Sequence, residues 1–172
     1  NALFYNSPEI SGFQINTTVA TKEANQGAAV IGRGTATAPQ YGAGSAASAN
    51  PYSVSATYKN GPVAMMLAAE RNAIESELWS IAGSVMATPA LKLMASYTAQ
   101  DQEHTRAFNQ ETDSWVVGAN YTMGPGKFLI GYGQKTPDGI AKTKQFSLGY
   151  EYSLSKRTYL YFDASNKKAG IS

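Results

Sequence analysis

The feature that most constrains this chain is a sustained two-residue alternation in which one of the two sets of positions carries no charge. That set reads Phe13, Ile15, Thr17, Val19; Tyr52, Val54, Ala56, Tyr58; Val63, Met65, Leu67, Ala69. It continues through Leu91, Leu93, Ala95, Tyr97; Trp115, Val117, Ala119, Tyr121; and Phe128, Ile130, Tyr132. Phe146, Leu148, Tyr150, Tyr152 and then Leu160, Phe162, Ala164 complete it. The intervening positions hold Gln14, Asn16, Ser53, Ser55, Thr57, Lys59, Lys92, Asn120, Lys127, Gln145, Ser147, Glu151 and Asp163. A period of two belongs to β-strands, whose side chains point alternately to opposite faces. A soluble sheet would hide the apolar face against a second layer. A membrane barrel turns it to lipid, where a midplane Lys or Arg costs roughly 2–4 kcal/mol.

The punctuation between these runs favours the barrel. Tight turns fall at Ser7-Pro8-Glu9, Asn60-Gly61-Pro62, Thr88-Pro89-Ala90, Gly124-Pro125-Gly126 and Leu154-Ser155-Lys156. Proline presets a turn's backbone angle and cannot donate to a ladder. Between the turns lie longer polar segments at 21–50, 72–77, 101–113 and 136–143, with another beginning at 166. The strands predicted are 2–6, 11–20, 51–59, 63–71, 78–87, 91–100, 114–123, 127–135, 144–153 and 157–165. Most run to about nine residues, enough for a tilted strand to cross a bilayer. In strand 78–87 both sets are usable outward faces, and Trp79, Ile81, Gly83, Val85 is preferred because it omits two serines. Strand 2–6 is too short for a face to be assigned.

Composition agrees. Charged residues make up 15% of the chain, well below the quarter usual in a soluble domain. There are 11 tyrosines and 16 glycines, and no run of 18 apolar residues makes a helical span. A formal charge of +2 gives no case for nucleic acid as a partner. The absence of cysteine removes thiol chemistry and thiolate zinc sites. Asn1 begins almost inside a strand with no basic leader before it, so the expectation is a cut chain and not a natural start.

Two stretches carry a family resemblance. Asn1-Ala2-Leu3-Phe4-Tyr5-Asn6-Ser7-Pro8-Glu9-Ile10-Ser11-Gly12-Phe13 resembles the mid-chain strand–turn–strand of the general porins of beta-proteobacteria. More specific is the run from Gln145 to Tyr161, with its Leu154-Ser155-Lys156-Arg157-Thr158 turn between aromatic-rich strands, which is similar to their penultimate hairpin. The resemblance covers essentially the whole chain, 1–172, as one partial porin domain. It implies an all-β, antiparallel transmembrane β-barrel wall, strands six to fifteen of a sixteen-stranded barrel. It further implies a homotrimer in the outer membrane of a Gram-negative bacterium, surrounded by lipid and lipopolysaccharide. Such a channel passes small hydrophilic solutes and ions by passive diffusion, with no cofactor and no enzymatic step. The early strands, the inward-folded third loop with its arginines and the closing strand have no counterpart here. None of those constriction residues can be assigned.

The candidate pore-lining residues are Lys59, Glu70, Lys92, Lys127, Lys135, Glu151, Arg157 and Asp163. Lys59, Lys92, Lys127 and Arg157 recur beside four short turns, as a basic collar that enriches anions would require. The plainer reading is a row of solvated interfacial charges, favoured by a wide lumen and a Debye length of about 8 Å. Glu151 and Asp163 lie near Arg157 and are candidates to pair with lumen lysines. Arg71 follows the outward set at a strand end, where it can snorkel to headgroups or meet lipopolysaccharide phosphates. Trp79, Trp115, Tyr121, Phe128, Tyr150 and Tyr152 are candidate interface aromatics. Tyr159 and Tyr161 fall on the water-facing set.

Other motifs point nowhere specific. His104 stands beside Asp101 and Glu103, but adjacent loop residues rarely converge on a metal and no second histidine exists. Gly42–Ala47 lacks the βαβ context of a dinucleotide loop. Asn16 and Asn120 open Asn-x-Thr triplets inside strands, without glycosylation meaning. An outer-membrane protease or phospholipase would need a nucleophile or paired carboxylates converging with a histidine. A plugged structural barrel would share this wall, and only conductance separates it from an open pore.

Overall fold

The computed structural model describes residues 2–21, 29–35, 38–42, 50–72, 76–101 and 111–170, with backbone alone in 29–35 and 38–42. Twelve strands run in chain order: β1 (Ala2–Asn6), β2 (Phe13–Ala20), β3 (Ala29–Thr35), β4 (Ala38–Gly42), β5 (Tyr52–Asn60) and β6 (Val63–Arg71). They continue as β7 (Glu77–Met86), β8 (Leu91–Asp101), β9 (Glu111–Met123), β10 (Gly126–Pro137), β11 (Thr143–Ser155) and β12 (Thr158–Ala169). Ten of them form one antiparallel sheet in the order β1-β2-β5-β6-β7-β8-β9-β10-β11-β12. Every neighbour in space is therefore the neighbour in sequence, except that β3 and β4 form a separate hairpin between β2 and β5. The sheet is open, with β1 and β12 as its edges.

Three sequence expectations need correction. The segment 21–50 contains the β3–β4 hairpin, short and rich in Gly and Ala, so it offered no alternation to read. The first reversal is not at Ser7-Pro8-Glu9 but at Ser11-Gly12, where φ reaches 52° and 86°. Pro8 interrupts the ladder, Ser7 Oγ accepts from the Ile15 amide, and a bridge between Ile10 and Phe13 precedes the reversal. Positive φ at both central positions is the twist a tight hairpin prefers. The last reversal lies at Lys156-Arg157, slightly past the Leu154-Ser155-Lys156 turn expected, because a bulge between Ser153 and Ser155 shifts the register. The strands also outlast the alternation. β9 starts at Glu111 and β12 runs to Ala169, since ladder hydrogen bonds persist in water beyond the apolar band.

Register settles the faces. Paired residues share a face in an antiparallel ladder. Tyr58, Met65, Gly83, Ala95, Val117, Tyr132 and Phe146 are successive partners across seven strands, a single row on one face. Trp79, Ile81 and Val85 share that face through Ala69, Leu67 and Val63, the preferred side of β7. Leu3 and Tyr5 join it through Val19 and Thr17.

No apolar side chain is buried among the described residues, and Leu67 (54%), Ile130 (48%) and Leu148 (46%) stand exposed. A water-soluble sheet with this face bare would have no core.

The same row measures the tilt. On β5 the outward apolar run, Tyr52 to Tyr58, ends at this row; on β11 the run from Phe146 to Tyr152 begins there. Across six strand steps, about 29 Å, the band thus slides six residues, about 20 Å along the strand. A level lipid band then requires strands inclined by about 35°, within the range for closed barrels.

Candidate lumen and lipid faces

Seven of the eight residues expected to line a pore fall on the second face. Glu70 faces Ser53 and Leu78, and Lys135 faces Ser114 and Thr143. Lys92 faces Met86 and Asn120, and Asp163 faces Gly149. Lys59 faces Ala64, while Lys127 lies between Thr122 and Glu151. Arg157 is the exception. It sits in the β11–β12 turn outside both strands, its amide donating to Ser155 Oγ at 3.2 Å, because the bulge moved the reversal onto it.

This face is concave. A trough of about 1030 Å³ extends from Glu9 and Gln14 to Asp163 and Ser165, with Lys59 and Lys92 on its wall. The tilt brings the three lysines to one level. Lys92 lies two residues nearer the short turns than Met94, which shares the row of Lys59 through Ala64 and Ser84. Lys127 lies two residues nearer than Leu129, which shares the row of Lys92 through Asn120. Each step descends about 7 Å over three and then two strand spacings. A 35° incline requires about 10 and 7 Å, so the ammonium-bearing residues agree in height to within about 3 Å.

Their electrostatic situations differ. Lys127 Nζ lies 2.9 Å from Glu151 Oε2, a cross-strand ion pair with both side chains about one-third exposed. Lys59 and Lys92 have no ion-pair partner among the described residues. Asp163 is well above this level, its carboxylate against Gly149, where any Cβ would collide with Oδ1. Glu151 therefore meets Lys127 and not Arg157. Glu70 and Lys135 stand toward the long-loop end.

Sequence reasoning passed over an apolar swath on this face. Met66, Met94, Val116 and Leu129 lie on the inner rows, with Gly118 and Gly131 directly paired between them. A Cβ at Gly118 would press on the Ile130 carbonyl at 3.2 Å, and one at Gly133 on the Trp115 carbonyl at 3.0 Å. The wall is flat and side-chain-free there. The alternation signal concealed these residues, because apolar side chains on the polar set read as noise.

On the outer face the six candidate interface aromatics, Trp79, Trp115, Tyr121, Phe128, Tyr150 and Tyr152, all fall on the outward rows. They form two levels. Phe13 stacks on Tyr58 at 4.3 Å and Phe128 on Tyr150 at 4.7 Å near the short turns. Trp79 meets Tyr97 at 5.3 Å and Trp115 meets Tyr132 at 5.5 Å toward the other end. Arg71 also faces outward, its guanidinium 5.2 Å from the Tyr52 ring centroid. Tyr159 and Tyr161 face inward opposite Ser153 and Glu151, rings 6.2 Å apart. His104 and most of the segment 42–47 lie outside the described residues, and among those described no cluster of His, Asp and Glu fits a metal ion.

Comparison with known proteins follows the same lines. A family model described as Gram-negative porin matches residues 1–170. No curated protein is significantly similar in sequence. Among solved structures, an anion-selective porin from Comamonas acidovorans is similar at TM-score 0.76 and 23% identity, over 98% of this chain and 49% of that one. A porin refined at 1.8 Å is similar at TM-score 0.70 and 14% identity, over 99% and 57%. A mutant of the Rh. blastica porin follows at TM-score 0.58 and 11% identity, over 98% and 49%. The chain spans about half the length of these porins, and at such identities the likeness establishes the fold.

Proposed function

This chain belongs to the Gram-negative porin family, and from that premise we propose that its wall, closed by further strands, encloses a water-filled channel of the outer membrane. The channel passes small polar solutes and ions by passive diffusion. The observation that carries this reading is the oblique outward band, uncharged, exposed and inclined as lipid requires, backed by a concave polar face. Unpaired edges at β1 and β12 are costly in lipid and in water, which supports completion by strands beyond these.

The same reading gives the lumen a weak anion preference. Lys59 and Lys92 stand level and unneutralised near the short turns, which face the periplasm in such barrels. The similar Comamonas protein is described as anion-selective. Lys127, neutralised by Glu151, contributes little, and Arg157 in its turn stands at the rim. The apolar swath of Met66, Met94, Val116 and Leu129 is then the seat of the inward-folded loop that the family resemblance implies. Assembly as a homotrimer belongs to the same proposal.

The test is reconstitution of the complete protein in planar bilayers. Ohmic single-channel steps, with a reversal potential on the anion side in a salt gradient, are expected. A correctly inserted but silent protein would contradict the channel and favour a plugged barrel or an outer-membrane enzyme.

A further inference from the structure

The five methionines of the chain are sorted by face. Met65 and Met123 lie on the outward rows, opposite Tyr58 and Gly126. Met66, Met86 and Met94 lie on the lumen rows. Two of these three flank one lysine. Met86 on β7 is the direct partner of Lys92 on β8, and Met94 stands two residues further along β8 on the same face. Direct partners hold their Cβ atoms about 4.5–5.5 Å apart, and neighbours two residues apart on a strand are separated by about 7 Å. Both thioethers therefore lie beside the same ammonium group.

No carboxylate competes for that charge. Lys92 has no ion-pair partner among the described residues, and β9 places Asn120 opposite it. β7, β8 and β9 are interior strands, so these surroundings owe nothing to the open edges of the sheet. Lys92 and Met94 line the trough, and the Met94 terminal methyl lies 3.7 Å from where a Cβ at Gly118 would stand. With glycine there, no side chain at that position covers Met94. Met86 is exposed and lies outside the apolar swath, so a segment seated on that swath leaves it in contact with the lumen. Thioether sulfur is converted to sulfoxide by oxygen-transfer oxidants. An uncompensated lysine in a cleft concentrates the anionic ones, hypochlorite among them.

We propose that Met86 and Met94, with Lys92 beside both, form an oxidation site for small anionic oxygen-transfer oxidants that enter the lumen. With hypochlorite, a sulfur lone pair takes the oxygen atom, an S–O bond forms, the O–Cl bond breaks and chloride leaves with the electron pair. Sulfur is oxidised by two electrons, chlorine is reduced by two, and no proton is gained or lost overall. Lys92 is a positioning residue that raises the local concentration of the anion. The sulfoxides turn an apolar part of the lumen wall polar. The site rests on the channel reading above, because lumen water is what brings an anion to this face.

The experiment inserts the complete protein and its K92Q and K92R variants into phosphatidylcholine vesicles, with insertion checked by protease protection. Each is treated with periodate, an anion, or with neutral hydrogen peroxide, and sulfoxide is read by peptide mass spectrometry. With periodate, Met86 and Met94 should oxidise well ahead of Met65, although Met65 is the more exposed in the bare sheet, 49% against 39% for Met86. K92Q should slow both reactions about threefold, K92R should match the wild type, and added salt should erase the difference. With peroxide, all three proteins should react alike. Met86 and Met94 left unoxidised in the inserted wild type would overturn the site. So would a K92Q variant that reacts with periodate as fast as the wild type, or one slowed equally toward peroxide. Met65 keeping pace with Met86 would instead strike at the assignment of the two faces to lipid and water.

Discussion

Lys127 and Glu151 stand directly opposite each other on β10 and β11 and close a 2.9 Å ion pair on the concave face. The pair makes the lysines of this level unequal. Replacing Lys127 by Gln leaves Glu151 as an unbalanced negative charge, whereas replacing Lys59 or Lys92 removes a positive charge only. K127Q should therefore lower the anion-to-cation permeability ratio, and K127Q/E151Q should restore it. The double variant K59Q/K92Q should lower the ratio with no such rescue. Reversal potentials in a salt gradient measure all of these, and the differences should shrink as salt shortens the Debye length.

The two faces of β7 predict opposite responses to charge. Ile81 faces outward near the middle of the apolar band and Ala82 faces inward between Met66 and Ser96. Lysine at 81 should cost roughly 2–4 kcal/mol of folding stability in vesicles, and lysine at 82 under about 1 kcal/mol. Urea titration of refolding into bilayers reads both. Equal costs would mean that the faces are misassigned.

Two turn glycines separate strain from collision. Gly12 has φ of 86° and any Cβ there would run into the Lys59 carbonyl oxygen. Gly124 has φ of 58° with open space around it. Alanine at 124 should cost about 1 kcal/mol, the ordinary penalty for a left-handed residue. Alanine at 12 should cost clearly more, because the β2–β5 contact must shift as well. Stability in the same refolding assay checks the order.

Much of this arrangement was legible from residue order alone, for a definite reason. Lipid penalises charge at every second position, so the outward set from Phe13 to Ala164 is written into the sequence strand by strand. What register decides was less accessible. The face of β1 follows from Leu3 pairing with Val19, and the choice in β7 from Trp79 pairing with Ala69. Neither is local information. Arg157 was misplaced because one bulge residue moves the turn, and the Lys127–Glu151 pair needed the cross-strand alignment. The inner apolar swath escaped for a subtler cause: Leu129 and Val116 obey the period but contradict the polarity that their set otherwise shows.

Leu129 also makes the decisive measurement possible. The chain has no cysteine, so single cysteines can be placed at 127 to 133 along β10 and spin-labelled in the vesicle-inserted protein. Labels at 128, 130 and 132 should be relaxed mainly by oxygen dissolved in lipid, and labels at 127, 129, 131 and 133 mainly by a water-soluble nickel chelate. Position 129 should follow its water-side neighbours despite its native leucine. Oxygen accessibility at 129 matching that at 128 and 130, or a profile with no two-residue period, would contradict the account.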